Sequence, residues 1–257
     1  MSRLLRINAG AGPEYVVERN GEVRKLVGDV FGEWQEGVRL EGGLRNARVL
    51  APVQPSKIVA VGLNYRAHAA EQGKPLPPEP LIFIKPSTSV IGPGDAIRIP
   101  PGVGRVDYEA EAGIVIGRRA WRVREEDAAS VILGVTCVND VTARELQKKE
   151  GHYTRPKGFD TFAPVGPAIG LGLDFSSLAV RGRINGTLRQ DSSTRDLIFP
   201  VPALVAFISA IMTLLPGDII STGTPAGIGP LAPGDSVGIE VEGVGELVNP
   251  VVSGDAS

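Results

Sequence analysis

The 257-residue sequence holds a single cysteine, Cys137. One cysteine excludes an intramolecular disulfide framework and points to a reducing compartment. Only two histidines exist, His68 and His152. Charge of one sign is not in excess, since 27 Lys and Arg face 29 Asp and Glu for a formal net charge of -2. No dense basic stripe marks a nucleic-acid surface. The opening MSRLLRINAGAGPEY lacks the continuous apolar stretch of a signal peptide. No run is long enough to cross a membrane. The longest apolar segment, Val201 to Leu215, contains Pro202 and stops at Pro216-Gly217, as a core helix would. The expectation is a cytoplasmic protein with neither a nucleic-acid nor a membrane partner. Several signatures are also missing. Gly10-Ala11-Gly12 lacks the full dinucleotide glycine pattern. The glycine-rich loop Thr222 to Gly229 has no following Gly-Lys-Ser/Thr, so it is not a Walker loop. There is no nucleophile elbow and no internal repeat.

What is present is a large potential core. Hydrophobic residues make up 42% and charged residues 22%, so disorder is excluded. The 33 glycines and 21 prolines sit between short apolar stretches, the pattern of many strands and turns. Pro52 and Pro55 punctuate the chain and predict a small variable N-terminal region, 1–52, ahead of the main unit, 53–257. Strands are predicted at Lys57–Gly62, Leu81–Lys85, Ala96–Ile99, Val106–Gly117, Leu133–Asn139, Ala179–Ile184, Ile219–Thr222 and Ser236–Val241. Helices are predicted at Asn64–Gln72, Thr142–Glu150 and Pro202–Leu215. Helices do not alternate regularly with strands. The fold class is therefore α+β, mainly β, with mixed or antiparallel sheet.

Glu109 and Glu111 are two apart on a predicted strand, so their side chains share a face. A divalent cation would relieve their repulsion. Oxygen-only ligands suit Mg²⁺, Mn²⁺ or Ca²⁺ and not zinc. Asp140 follows another apolar strand and can reach the same place. A solvated strand end, with Asp107 as a further surface acid, fits the spacing as well.

His68 and Glu71 are three apart on a predicted helix and share a face. A carboxylate beside an imidazole can orient it as a general base; a helix-surface pair is the plainer reading. Arg144 and Gln147 share a face of the helix after Asp140. Lys157 lies in the loop RPKGFD. Cations beside an acidic site suit an anionic substrate, although each fits ordinary surface charge. The Thr222–Gly229 loop can offer backbone N–H groups and a hydroxyl to an anion, or can be a plain turn.

The order of these pieces resembles the fumarylacetoacetate hydrolase family from about residue 48 to 252. The matching stretches are VGLNYRAHAAE (61–71), FIKP (83–86), DYEAEAGIVIG (107–117), VNDVTARELQ (138–147), RPKGFDTFAPVGP (155–167), INGTLRQ (184–190), DLIFPVPALVAFIS (196–209), LLPGDIISTGTPAGIG (214–229) and PGDSVGIEVEGVGELVN (233–249). The resemblance implies a mixed β-sandwich roll with few helices, and a homodimer. It implies one Mg²⁺ or Mn²⁺ at the positions of Glu109, Glu111 and Asp140. It implies water activation by His68 paired with Glu71, with Lys157 as a further catalytic position. Arg144, Gln147, Thr224 and Lys85 are implied substrate contacts.

The substrate so implied is a small anionic 2-oxo acid or 1,3-dicarbonyl acid that chelates the cation. The ion acts as a Lewis acid and stabilises an enolate. Hydrolysis, decarboxylation and isomerisation can all use that sink, so membership does not choose among them. His68-x-x-Glu71 and RPKGFDTFAPVGP resemble acylpyruvate-cleaving members. INGTLRQ, DLIF and VEGVGELVN resemble the hydroxyhepta-diene-dioate isomerase and decarboxylase of homoprotocatechuate breakdown. The expectation from sequence is acylpyruvate hydrolysis, with that isomerase/decarboxylase activity, oxaloacetate decarboxylation, and metal-dependent binding without turnover as alternatives. Gly73–Pro80 is expected to form a lid over His68.

Overall fold

Long-range strand pairing organises the chain, which is described over residues 2–254 by a computed structural model. The largest sheet has 12 strands. One half runs Trp34–Arg39, Glu22–Gly28, Pro13–Arg19, Ser2–Asn8 and Ala163–Leu171. The other half continues through Ile132–Asn139, Ala110–Ile116, Ile219–Ser221, Lys57–Gly62 and Leu81–Pro86, and Arg48–Leu50 and Val90–Ile91 pair off this path with Ser2–Asn8 and Ala163–Leu171. A second sheet of five strands, from Thr187–Ser193 to Ile97–Ile99, packs over the central strands of the first. Most pairings are antiparallel, but Lys57–Gly62 runs parallel to Ile219–Ser221, so the architecture is mixed, α+β and mainly β, as the punctuation by glycine and proline implies. No helix among the described residues is long and apolar enough to cross a membrane.

The core is aliphatic. The strand Ala110–Ile116 is buried along its whole length, which matches its position between two neighbours with a sheet above it. Among the described residues, four α-helices complete the fold: α1 (Arg66–Glu71), α2 (Arg144–Glu150), α3 (Thr154–Lys157) and α4 (Val201–Ile211). Helix α4 carries Pro202 in its first turn, where the missing N–H costs nothing. It buries Val201, Leu204, Val205 and Ile208, each worth about 1.5–3 kcal/mol of apolar transfer. It stops at Ile211, four residues before the expected end, because Leu214 leaves the helix to bridge Ala120.

The N-terminal strands are hydrogen-bonded into the large sheet, with Ser2–Asn8 against Ala163–Leu171. The expected strand Val106–Gly117 is two strands. Val106–Tyr108 belongs to a three-stranded sheet with Thr142–Ala143 and Gly229–Pro230, and Ala110–Ile116 belongs to the large one. The break falls at Glu109. Its N–H is taken by Asn139 Oδ1 at 3.0 Å, and its carbonyl accepts the Asp140 N–H at 2.9 Å. The partner chain changes sheets at the same level, between Ile132–Asn139 and Thr142–Ala143. The residues expected to begin a helix at Thr142 are thus in a strand, and α2 starts at Arg144. It ends where the sequence predicts, at Gly151 in the left-handed conformation.

Candidate active site

The double change of sheet brings three acids together. Glu109 and Asp140 sit at the two breaks, and Glu111 is two residues into the large sheet. One carboxylate oxygen from each lies within 4.8 Å of the others, and all three residues are buried. Asp107, the expected surface acid, is fully buried and accepts from Arg144 Nε at 2.9 Å and Arg105 Nε at 2.6 Å.

Each acid is held differently. Glu109 accepts from Lys157 Nζ at 2.9 Å and from the Arg144 guanidinium. Burial pushes its carboxyl up, but Lys157 and Arg144 overcome that and hold it down at about 2. Asp140 accepts from Lys85 Nζ at 2.6 Å and from Lys157 Nζ. Glu111 accepts from the Ser221 hydroxyl and from Gly223 N–H at 2.9 Å, and has no cationic partner in contact. Burial first, then the Asp140 and Glu109 charges, push its carboxyl up to about 8.

Three carboxylates converge in low dielectric with one left uncompensated. A hard, oxygen-only donor set fits Mg²⁺ or Mn²⁺, so the residues fit the ion that the resemblance implies.

Lys157 is the last residue of α3 rather than part of a loop. Its ammonium bridges Glu109 and Asp140 and lies 5.0 Å from the Phe83 ring centroid. Phe83 in turn stacks on Tyr153 at 4.8 Å. Burial disfavours the Lys157 charge, but Asp140 and Glu109 more than offset this and raise its pKa. Arg144 Nη1 also donates to Gln147 Oε1 at 2.6 Å, so the expected pair on α2 is in contact.

His68 faces the acids from α1 across a narrow cleft of about 40 Å³. Its Nδ1–H donates to Glu71 Oε2 at 2.8 Å. The other Glu71 oxygen accepts the Gly227 N–H at 3.0 Å, and Gly227 O accepts from the Tyr108 hydroxyl at 2.8 Å. The dyad is thereby fastened to the glycine-rich loop. The entry to α1 is fixed by buried Asn64, whose amide donates to Thr222 O at 2.8 Å and Phe199 O at 3.1 Å.

Two expected substrate contacts are placed differently. Lys85 is fully buried; its ammonium serves Asp140 and Val141 O, and it is not on the cleft wall. Burial lowers its pKa despite Asp140. Thr224 does line the cleft, but its hydroxyl donates to Ala110 O at 3.0 Å and accepts from Gln190 Nε2 at 2.8 Å. It holds the loop to the strand. Val61, Gly62, Leu63, Gln72, Lys74 and Tyr153 also line the cleft, none of them singled out in the sequence for a role there. Gln72 and Lys74 flank Gly73 just after the dyad, and that adjacency was their only signal. Larger hollows of about 680 and 520 Å³ lie against the N-terminal strands; neither holds an acid triad.

The model of the fumarylacetoacetate (FAA) hydrolase C-terminal domain matches residues 57–252. The chain belongs to the fumarylacetoacetate hydrolase family. A mitochondrial oxaloacetate tautomerase of Xenopus laevis is 43% identical over 80% of this chain and 69% of its own. A solved 2-hydroxyhepta-2,4-diene-1,7-dioate isomerase of Mycobacterium marinum is 41% identical, covers 100% of both chains and superposes with a TM-score of 0.92. A maleylpyruvate hydrolase of Sphingobium, solved with manganese and pyruvate, is 31% identical over 98% of this chain and 100% of its own, with a TM-score of 0.80. The family as represented by these relatives consists of enzymes with isomerase, tautomerase and hydrolase activities.

Proposed function

We propose that this enzyme moves protons within a small anionic 2-oxo acid, interconverting keto, enol or double-bond isomers, with Mg²⁺ or Mn²⁺ at Glu109, Glu111 and Asp140. One observation carries the reading. A single imidazole, His68 oriented by Glu71, faces the acid triad, Arg144 and Lys157 across a cleft of about 40 Å³. A divalent ion held there supplies Lewis acidity toward the 2-oxo oxygen.

The chain's own groups supply the rest. Arg144 and Lys157 now neutralise Glu109 and Asp140; with the acids' charge shared elsewhere, both cations can meet the substrate carboxylate. Gln147 orients Arg144. His68 Nε2 takes the proton from the carbon beside the oxo group, the C–H electron pair passes into the carbonyl, and Glu71 balances the imidazolium. Returning that proton to oxygen, or to a more distant carbon, completes tautomerisation or isomerisation. Lys85 and Thr224 act as positioning residues for Asp140 and for the loop. The tautomerase and isomerase relatives, at 43% and 41% identity, support proton transfer more than the hydrolase relative at 31%.

A second reading is hydrolysis of an acylpyruvate, which the sequence favours. The same dyad would take its proton from water, whose oxygen adds to the distal carbonyl before the C–C bond breaks.

The test is a parallel assay of Mn²⁺-loaded protein on the enol of oxaloacetate, a hydroxy-diene-dioate and acetylpyruvate. Proton-transfer turnover that exceeds acetylpyruvate cleavage and disappears with EDTA is the expected result. Faster cleavage of acetylpyruvate would replace this reading with the second.

A further inference from the structure

We infer that Gln72 caps the lone pair of His68 and so keeps the base from activating free water. The inference rests on the proton-transfer reading above and deepens it. It assigns to one side chain the choice between moving a proton on the substrate and hydrolysing it.

Glu71 Oε2 lies 2.8 Å from His68 Nδ1, so Nδ1 carries the ring proton. In the neutral ring Nε2 then has the only lone pair. Gln72 Nε2 is 2.7 Å from it. A carbonyl could not accept from a nitrogen that has no hydrogen, so the amide nitrogen must be the group that faces the ring. The Glu71 contact fixes the tautomer, and the tautomer fixes the amide orientation.

Gln72 is also held where it can do this. It is the C-cap of α1, and its backbone N–H donates to His68 O at 3.1 Å. Gly73 follows in the left-handed conformation, at φ 62°, which turns the chain away after Gln72 and leaves its side chain against the ring of the preceding turn. His68 is 4% exposed. The base is thus reached from the cleft side, where the amide stands.

Water and substrate are then unequal competitors. A substrate anchored at its carboxylate and oxo oxygen presents its C–H at a very high effective concentration, of the order of 10⁵–10⁸ M for well-oriented groups. It can displace the amide. A water molecule has no such anchor and must compete with a tethered donor. Both routes balance. In one, a C–H bond breaks, an N–H bond forms at His68 Nε2 and the electron pair enters the carbonyl. In the other, water gives its proton to Nε2, its oxygen bonds the distal carbonyl carbon, the C–C bond breaks with its electron pair entering the 2-oxo carbonyl, and the His68 proton returns to the departing carbon. Gln72 disfavours only the second.

The experiment compares wild type, Gln72→Ala and Gln72→Met, all loaded with Mn²⁺. Methionine keeps the length of the side chain and removes the donor. The primary readout is the ratio of acetylpyruvate cleavage to oxaloacetate enol conversion. The second readout is independent of turnover: histidine ¹⁵N spectra of the Mg²⁺-loaded protein, in which His152→Gln assigns His68. Expected are a rise of tenfold or more in the ratio for both variants and a displaced His68 Nε2 resonance. A ratio within twofold of wild type overturns the inference, and so does a wild-type level restored by methionine. If wild type converts neither substrate, the proton-transfer reading fails, and the spectra decide the Gln72 contact alone: an Nε2 resonance unmoved by Gln72→Met overturns it.

Discussion

The Lys85 ammonium donates to Asp140 at 2.6 Å, and neither group is more than 2% exposed in its side chain. A pair this deep is strongly destabilising to break, because the survivor keeps its charge without water. Lys85→Ala is expected to lower stability by about 3–5 kcal/mol. For a chain of this size that is a drop in melting temperature of roughly 10 °C, measured by thermal unfolding of the EDTA-treated protein. A change under 1 kcal/mol would show that Lys157 alone compensates Asp140.

Glu109 shares its oxygens between Lys157 and Arg144. Glu109→Ala should leave the fold intact, since the lysine retains Asp140 and the arginine retains Asp107. It should remove bound Mn²⁺ and turnover together. Elemental analysis of the purified variant decides it, and metal at wild-type stoichiometry would refute the ligand role.

Glu111 makes ion binding pH-dependent. With its carboxyl raised to about 8, it is protonated at pH 7 in the ion-free protein, so binding must release a proton. Calorimetry in buffers of different ionisation enthalpy should give a release approaching one proton per ion at pH 7 and near zero above pH 9. The sign for folding follows from the same shift. The folded state holds a proton that the unfolded state loses near pH 4.5, so this contribution to stability is full below pH 4.5 and fades as pH rises to about 8. Glu109, held at about 2, contributes oppositely: its stabilisation is present above pH 4.5 and lost as pH falls toward 2.

His68→Ala should slow enol conversion by about 10²–10⁴-fold, the usual weight of a general base, with Mn²⁺ affinity unchanged. Loss of both would mean that the imidazole supports the ion instead.

Gly227 sits at φ 98°, and a Cβ there would collide with the Arg189 carbonyl. Gly227→Ala should therefore shift the loop, release the Glu71 carboxylate from its backbone donor and loosen α1 and the segment 72–80 that follows it. Faster proteolytic cleavage within 72–80, together with a fall in kcat larger than the change in KM, is the expected outcome. Unchanged cleavage would show that α1 stays docked without this contact.

The acids, the dyad, Arg144 and Lys157 were candidates in the sequence because of where they fall on short apolar runs, at helical spacing or in a loop, but it was the family resemblance rather than the spacing that joined them into one site. Short apolar runs also give strands such as Lys57–Gly62, Ala179–Ile184 and Ser236–Val241 the expected bounds. The break at Glu109 was not legible. It depends on Asn139 taking a backbone N–H from 30 residues away, and an apolar pattern of period two runs through it unaltered. Lys85 reads as a strand-end cation until Asp140, 55 residues on, is folded beneath it. Gln190 reads as a surface residue of a polar strand, yet it is fully buried and ties Ala110 N–H to Thr224. Of the N-terminal meander only short β-like pieces, at Tyr15–Glu18 and Arg48–Ala51, were legible, because its key pairing, Ser2 with Leu171, joins distant parts of the chain.

The acids sit on or at the ends of strands where the chain changes sheets, whereas His68 rides on a six-residue helix tied to the rest of the molecule through Asn64 and Gly227. On the proposed reading, ion-holding and proton-handling therefore occupy separate parts of the molecule. On that reading, substitutions between residues 66 and 80 change the surroundings of the base while the carboxylate cluster, carried by other elements, stays untouched.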